Sequence, residues 1–325
     1  MTHDDDIPAR LVDAVRAACR ICRAVQGELQ AADSVQKKDK SPVTVADLAG
    51  QAVVAERLAR ALPRVELVAE EDSAHLREDP ALLANVVQRV RAEWPEAGDG
   101  DVLAAIDRGR GKGGPGTRFL TLDPIDGTKG FLRGEQYAVA LALVEDGRPV
   151  VGVLGCPNLV GPDGRPGVVL LAVEGAGTRA LPLDGTACDG PLCRVSDCTE
   201  SEAIRMCESV EAAHSAHGES AALSASLHIQ AAPVRIDSQA KYAVLALGDA
   251  ELYLRIPTDP RRREKIWDHA AGALVVTEAG GMVTDLDGRA LDFGRGRTLE
   301  QNRGIVASNG RVHERVVAAL ASLRG

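Results

Sequence analysis

The chain has 325 residues, room for one large or two medium domains around a substantial core, and two lobes fit that length better. Its 38 Lys and Arg against 47 Asp and Glu leave a formal charge of -9, which excludes a broad nucleic-acid-coating surface, since that surface would be basic. Aromatics are only 2% of the residues, so the core must be packed from Ala, Val and Leu.

No apolar run approaches the roughly 20 residues of a membrane-spanning helix. The opening MTHDDDIPAR is acidic where a targeting segment would be basic, so a cytoplasmic protein is expected, organellar only if a transit peptide has been removed. The seven cysteines are odd in number, and Cys188, Cys193 and Cys198 recur every five residues without the paired C-x-x-C of a zinc site. Reduced thiols are expected.

From Ile7 to Ala31 apolar residues recur at helical spacing and predict an amphipathic helix. The polar stretch DSVQKKDKSPVT follows. A second helix is predicted from Leu48 to Leu62, with Asp47 at its start and Pro63 ending it. VELVAEED reads as a short strand running into acids, and residues 79–92 as a helix. DRGRGKGGPGTR reads as a flexible loop; it lacks both the G-x-x-x-x-G-K-[ST] and G-x-G-x-x-G phosphate-binding patterns. FLTLD, YAVALALVEDGRPVVGVLGCP and GVVLLAVEGAGTRAL are strand-like runs broken by turns, predicting a largely antiparallel sheet.

The character changes near residues 184–200. Beyond it strands and helices alternate: AIRMCESV, a helix through about Leu227, APVRIDS, a helix through Leu247, AELYLRI, and a helix from Ile266 to Glu278 stopped by Gly280 and Gly281. The expected division is an N-terminal α+β lobe over residues 1–190 and a C-terminal α/β lobe over 191–325.

Five carboxylates stand at apparent element ends: Asp47, Glu70, Asp123, Asp126 and Asp268. Each alone reads as a helix cap or a solvated group. Together they suggest more. Asp123 and Asp126 bracket Pro124 and Ile125, and a turn there aims both carboxylates and the Ile125 carbonyl to one side, an oxygen-only set suited to Mg²⁺. Gly127 and Thr128 follow with backbone N–H groups and a hydroxyl, as a phosphoryl oxygen or an attacking water requires. Carboxylates crowding a cleft repel one another, so their convergence implies cations, and paired cations suit in-line attack on a phosphate ester.

The motifs DPIDGTKGF, WDHAAG, AEED and SPVTVAD, in their order along the chain, resemble the lithium-sensitive, magnesium-dependent phosphatases of the inositol monophosphatase superfamily. ESVEAAHS, DSQAKY and LYLR are similar to its 3′(2′),5′-bisphosphate nucleotidase branch, and the likeness extends over nearly the whole chain. The resemblance implies a layered α/β/α/β/α sandwich with the site between two lobes. It also implies two or three Mg²⁺ ions held by Glu70, Asp123, the Ile125 carbonyl, Asp126 and Asp268, with Asp47 and Thr128 activating the water. The acidic run places Glu71 beside Glu70 as an alternative ligand.

By the same resemblance, Gly127 and Thr128 hold the phosphate under attack, and His214, Ser238, Lys241 and Arg255 contact a nucleotide bisphosphate. Lys241 and Arg255 would supply charge to its second phosphate. The implied reaction is removal of the 3′-phosphate of 3′-phosphoadenosine 5′-phosphate, with action on its 5′-phosphosulfate analogue, in sulfur metabolism by a monomer or homodimer. Inositol monophosphatase or inositol polyphosphate 1-phosphatase activity is the rival on this fold. A non-catalytic nucleotide sensor is the rival of another class.

Overall fold

The first helical pattern folds as α1 (Ile7–Ala31), followed by α2 (Ser41–Ala61). A computed structural model describes residues 6–31, 41–210, 217–259 and 261–324. Helix α2 begins several residues earlier than the apolar pattern suggests. Pro42 falls in its first turn, where a missing N–H has no helical partner to lose, so the polar SPVT segment is helical as well.

The strand β1 (Glu66–Ala69) leads to α3 (Ala74–Glu78), α4 (Pro80–Val90) and α5 (Asp99–Asp107). Asp79 caps α4, accepting from the N–H groups of Ala81 and Leu82 at 3.1 and 2.9 Å. The periodicity gave no warning of α5, whose GDGD opening looks like a turn. Asp101 closes that start by accepting from the Gly98 N–H at 2.9 Å.

Next come β2 (Arg118–Asp126), α6 (Thr128–Arg133), β3 (Ala138–Glu145), β4 (Arg148–Val160), β5 (Pro166–Val173) and β6 (Gly177–Pro182). With β1 these strands form a six-stranded sheet in chain order. It is antiparallel as expected, except that β1 joins the edge parallel to β2.

The second sheet holds β7 (Met206–Glu208), β8 (Val234–Arg235), β9 (Leu252–Arg255), β10 (Met282–Thr284) and β11 (Ile305–Ser308), in the order β10-β11-β9-β7-β8. Here β7, β8 and β9 run parallel, while β10 and β11 are antiparallel additions. Helices α7 (His217–Ser226), α8 (Ala240–Ala246), α9 (Ala270–Glu278) and α10 (His313–Arg324) complete the chain. The predicted helix at Ile266 starts instead at Ala270, behind a turn that carries Asp268.

Period-2 alternation sets the layers. Leu120, Leu122, Leu141 and Val153 point from the first sheet to α1 and α2, whereas Phe119, Ala140, Leu154 and Leu170 point the other way, to α8 and α9. Those helices also cover Tyr253 and Ala307 of the second sheet. Its far face, with Leu252, Leu254 and Val306, packs on Leu223 of α7 and Val316 and Leu320 of α10. The result is the expected α/β/α/β/α order.

The glycine-rich loop is not free. Gly111 N–H donates to Leu67 O at 2.9 Å, the Lys112 and Gly113 N–H groups donate to Glu66, and Arg297 donates to Gly109 O and Gly111 O. A Cβ at Gly111 would come within 2.3 Å of Leu67 O, so glycine permits the close approach. The seven cysteines are free thiols. Burial pushes Cys156 and Cys207 up to about 12 and Cys193 up to about 11, which makes them poor nucleophiles. No described helix is long and apolar enough to cross a membrane.

Candidate active site

Parallel strands place their carboxyl ends at one edge, and in this molecule both sheets contribute such an edge to one cleft. In the first sheet, β1 ends at Ala69 beside Leu122, and Glu70 N–H donates to Leu122 O at 3.2 Å. Glu70 therefore lies next to Asp123. Between Asp123 and Asp126 the register against β3 slips: Asp123 faces Ala140 and Asp126 faces Ala138. Three steps on β2 match two on its neighbour, a bulge at Pro124 and Ile125 that turns two aspartates three apart toward the same side. Pro124 suits that place because it has no N–H to give to the ladder.

In the second sheet Ser209 follows β7, Asp237 and Ser238 follow β8, and Arg255 ends β9. The two edges meet across a cleft of 440 Å³ lined by Glu70, Asp123, Ile125, Asp126, Gly127, Thr128, Ser238, Lys241, Arg255 and Asp268, together with Arg262 and His269. Of the residues singled out from the sequence, Asp47 is buried behind this lining, and His214 lies outside the described residues. Glu70 rather than Glu71 lines the cleft; the Glu71 backbone is held from behind by the Gln51 side chain, at 2.8 and 3.1 Å.

The two edges touch at Gly127 and Ser238. Gly127 has φ of 89°, and a Cβ there would lie 2.7 Å from the Ser238 Cβ. Ser238 is itself left-handed, with φ of 67°, a strained choice for a non-glycine residue. Gln239 fastens the contact. Its N–H donates to Asp126, its side-chain amide donates to Trp267 O at 2.8 Å, and its amide oxygen accepts from Gly272 N–H at 3.1 Å. Asp126 and Asp268, 142 residues apart in sequence, are thereby fixed relative to one another.

The acids are crowded and dry. Burial, then Glu71, pushes Glu70 up to about 7. Burial, with the charges of Glu70, Asp126 and Asp268, holds Asp123 well above the ordinary carboxylate range, and burial followed by Asp126 and Glu70 does the same to Asp268. Asp126 is raised by burial against the pull of Lys241. The fully enclosed Asp123 Oδ1 has no hydrogen-bond partner among the described residues, so its lone pairs are open to a cation. Asp47 is raised by burial and by Glu71 and Glu70.

The opposite wall is positive. Lys241 is buried, lies with Nζ 5.3 Å from the Tyr253 ring centre, and is lowered by burial against the charge of Asp126. Arg255 stays charged because Tyr253, Glu264 and Asp268 outweigh its burial. Arg133, in the KGFLRG segment, pairs with Asp237, which in turn accepts from Val210 N–H at 3.1 Å. Arg297 donates to Ala69 O just ahead of Glu70 and lies 4.6 Å from the Trp267 ring centre. Sequence reasoning overlooked Gln239, Tyr242, Glu264, His269 and Arg297. The first two lie inside DSQAKY and His269 adjoins Asp268, whereas Arg297 carries no local signal.

The model of the "Inositol monophosphatase family" matches residues 7–324. A 3′(2′),5′-bisphosphate nucleotidase of Schizosaccharomyces pombe is 41% identical over 96% of this chain and 94% of its own length. One from Oryza sativa is 44% identical over 91% of this chain and 88% of its own, and one from Arabidopsis thaliana 45% identical over 82% of each. Among solved structures, an inositol monophosphatase from Anabaena has a TM-score of 0.63 at 22% identity, covering 99% of this chain and 97% of its own. The extragenic suppressor protein suhB of Bartonella henselae also reaches 0.63, at 21% identity over 97% and 98%. These likenesses carry the fold.

Proposed function

Because the chain belongs to the inositol monophosphatase family, with 3′(2′),5′-bisphosphate nucleotidases as full-length relatives, we propose that it removes the 3′-phosphate of 3′-phosphoadenosine 5′-phosphate. The observation that carries this reading is a single cleft with an acidic wall of Glu70, Asp123, Asp126 and Asp268 and a basic wall of Lys241 and Arg255. One wall suits cations and a reacting phosphate. The other suits a second phosphate on the same substrate. The 5′-phosphosulfate analogue carries an anion at that second position too and is expected to be accepted.

The acidic wall fits Mg²⁺: its donors are hard oxygens, Asp123 Oδ1 is orphaned among the described residues, and burial with mutual repulsion keeps the carboxylates raised despite the pull of Lys241 on Asp126 and of Arg255 on Asp268. Glu70, Asp123, the Ile125 carbonyl, Asp126 and Asp268 would hold it, and four carboxylates call for two ions or three. When bound, Mg²⁺ neutralises this wall, polarises the phosphoryl oxygens and acidifies a water. The Thr128 hydroxyl would take the proton of the attacking water and pass its own to the Asp47 carboxylate, a better acceptor for being buried. Meanwhile the bond from phosphorus to the 3′-oxygen breaks, and that oxygen leaves as the alcohol with a proton from bulk water. Backbone N–H groups of Gly127 and Thr128 hold the phosphoryl oxygens while Lys241 and Arg255 fix the rest of the substrate.

Phosphate release with Mg²⁺ tests the reading across adenosine 3′,5′-bisphosphate, its phosphosulfate analogue, inositol 1,4-bisphosphate and inositol 1-phosphate. The adenosine bisphosphate should be cleaved fastest, with inhibition by Li⁺ at millimolar levels. Faster turnover of either inositol ester by a wide margin would sink the substrate assignment. Binding without release would make the protein a sensor instead.

A further inference from the structure

Behind the basic wall runs a buried chain of polar contacts that the reaction itself does not use. Arg255 Nε is 3.5 Å from Glu264 Oε1, and Glu264 Oε2 is 3.7 Å from His269 Nε2. His269 Nδ1 is 2.8 Å from Tyr242 OH. Glu264 and His269 side chains are each 3% exposed, so these contacts are shielded from water. Among the described residues Glu264 Oε2 and His269 Nε2 have no hydrogen-bond partner, and they face one another at 3.7 Å. The far end is rigid. Tyr242 packs edge-on to Tyr253 at 5.1 Å, and its ring lies against Gly272, where a Cβ would come within 2.2 Å.

We propose that Glu264 is a positioning residue for the distal phosphate of the substrate, holding the Arg255 guanidinium toward the cleft while His269 and Tyr242 hold Glu264. This rests on the reading of Arg255 as a phosphate contact. An arginine ending a strand has many rotamers, and its affinity for phosphate depends on how few of them it must give up on binding. A buried carboxylate on Nε leaves the outer guanidinium nitrogens for the ligand. His269 and Tyr242 keep that carboxylate from turning away. The effect is confined to ligands that carry the distal phosphate, since Glu264 does not line the cleft.

Calorimetric titration with adenosine 5′-monophosphate and with adenosine, on wild type, Glu264→Gln, Arg255→Gln and the double variant, tests this without turnover. Glu264→Gln should weaken the monophosphate about tenfold and leave adenosine unchanged, and the double variant should be no weaker than Arg255→Gln alone. Glu264→Asp, which keeps the charge, should recover part of the loss. Equal weakening of both ligands, no weakening at all, additive losses in the double variant, or a wild type that does not bind the monophosphate would each overturn the proposal. A wild type that binds the monophosphate but does not cleave the bisphosphate would sink the functional reading, and the variant affinities would still decide the role of Glu264.

Discussion

The two walls of the cleft solve opposite electrostatic problems with different materials. The acidic wall comes mainly from one stretch of β2 and the end of β1, and its side chains repel one another within a dry edge. The basic wall is gathered from the ends of β8 and β9 and the start of α8, and each charge has a neighbour that tolerates it: Tyr253 under Lys241, Glu264 beside Arg255. The acidic wall therefore carries repulsion that bound cations would relieve, whereas the charges of the basic wall already have protein neighbours in place. Metal should govern the stability of the first and substrate the occupancy of the second.

The sharpest way to break this contrast is Asp123→Asn. Phosphate release should fall about 1000-fold or more, because the variant removes a donor that the cations need. In chelator, the same change relieves a buried, repelled charge, so the unfolding temperature should hold or rise. Activity near the wild-type level would show that the acidic wall is not a metal site.

A smaller loss is expected at the seam between the walls. Gly127→Ala asks an alanine to adopt φ of 89° with its Cβ 2.7 Å from Ser238. Either the turn or Ser238 has to move, and the expected result is a loss of about 1–3 kcal/mol in stability with a fall of about 100-fold in kcat. Urea unfolding and steady-state kinetics read both. Wild-type behaviour would mean that the walls are not held in register here.

The contrast also explains what the sequence could and could not disclose. DPIDGT was readable because both aspartates, the bulge and the following turn lie within six residues, so local spacing already implied convergence. The basic wall was reached only through resemblance, since Lys241 and Arg255 are isolated charges until three parallel strands align their ends. Gln239 and Arg297 were overlooked because their roles consist of contacts to residues tens or hundreds of positions away, and Glu264 because its partners Arg255 and His269, though near in sequence, meet it only once the turn after β9 folds back. The strands β10 and β11, of three and four residues, carry too few alternations to declare a period.

Metal removal should separate the walls by stability. A carboxyl whose folded pKa is raised binds its proton more tightly folded than unfolded, so its contribution is present below the unfolded value and lost as pH rises through the folded one. With Glu70 raised to about 7, the chelated protein should lose stability between about pH 4.5 and 7. Mg²⁺ binds the ionised form, so the rise in unfolding temperature on adding it should be larger at pH 8 than at pH 5.5. A shift independent of pH would mean that the ion stabilises the protein elsewhere.

The smallest effect lies away from the cleft and has the opposite sign. His313 is buried at the start of α10, with Nε2 2.9 Å from Thr284 Oγ1 and Nδ1 2.9 Å from Ser308 Oγ. Burial lowers its pKa, against a weaker pull from Glu314. A histidine with a depressed folded pKa takes up its proton more readily once unfolded, so its contribution is full above about pH 6.5 and declines as pH falls through the folded value. The slope cannot exceed about 1.4 kcal/mol per pH unit for one proton. In saturating Mg²⁺, which quiets the acidic wall, denaturant titrations from pH 7.5 down to 5.5 should show this loss. His313→Gln should be less stable at pH 7.5 and flatter toward acid. An acid slope that survives the substitution would assign it to another group, and the opposite sign between the second sheet and the acidic edge would no longer rest on His313.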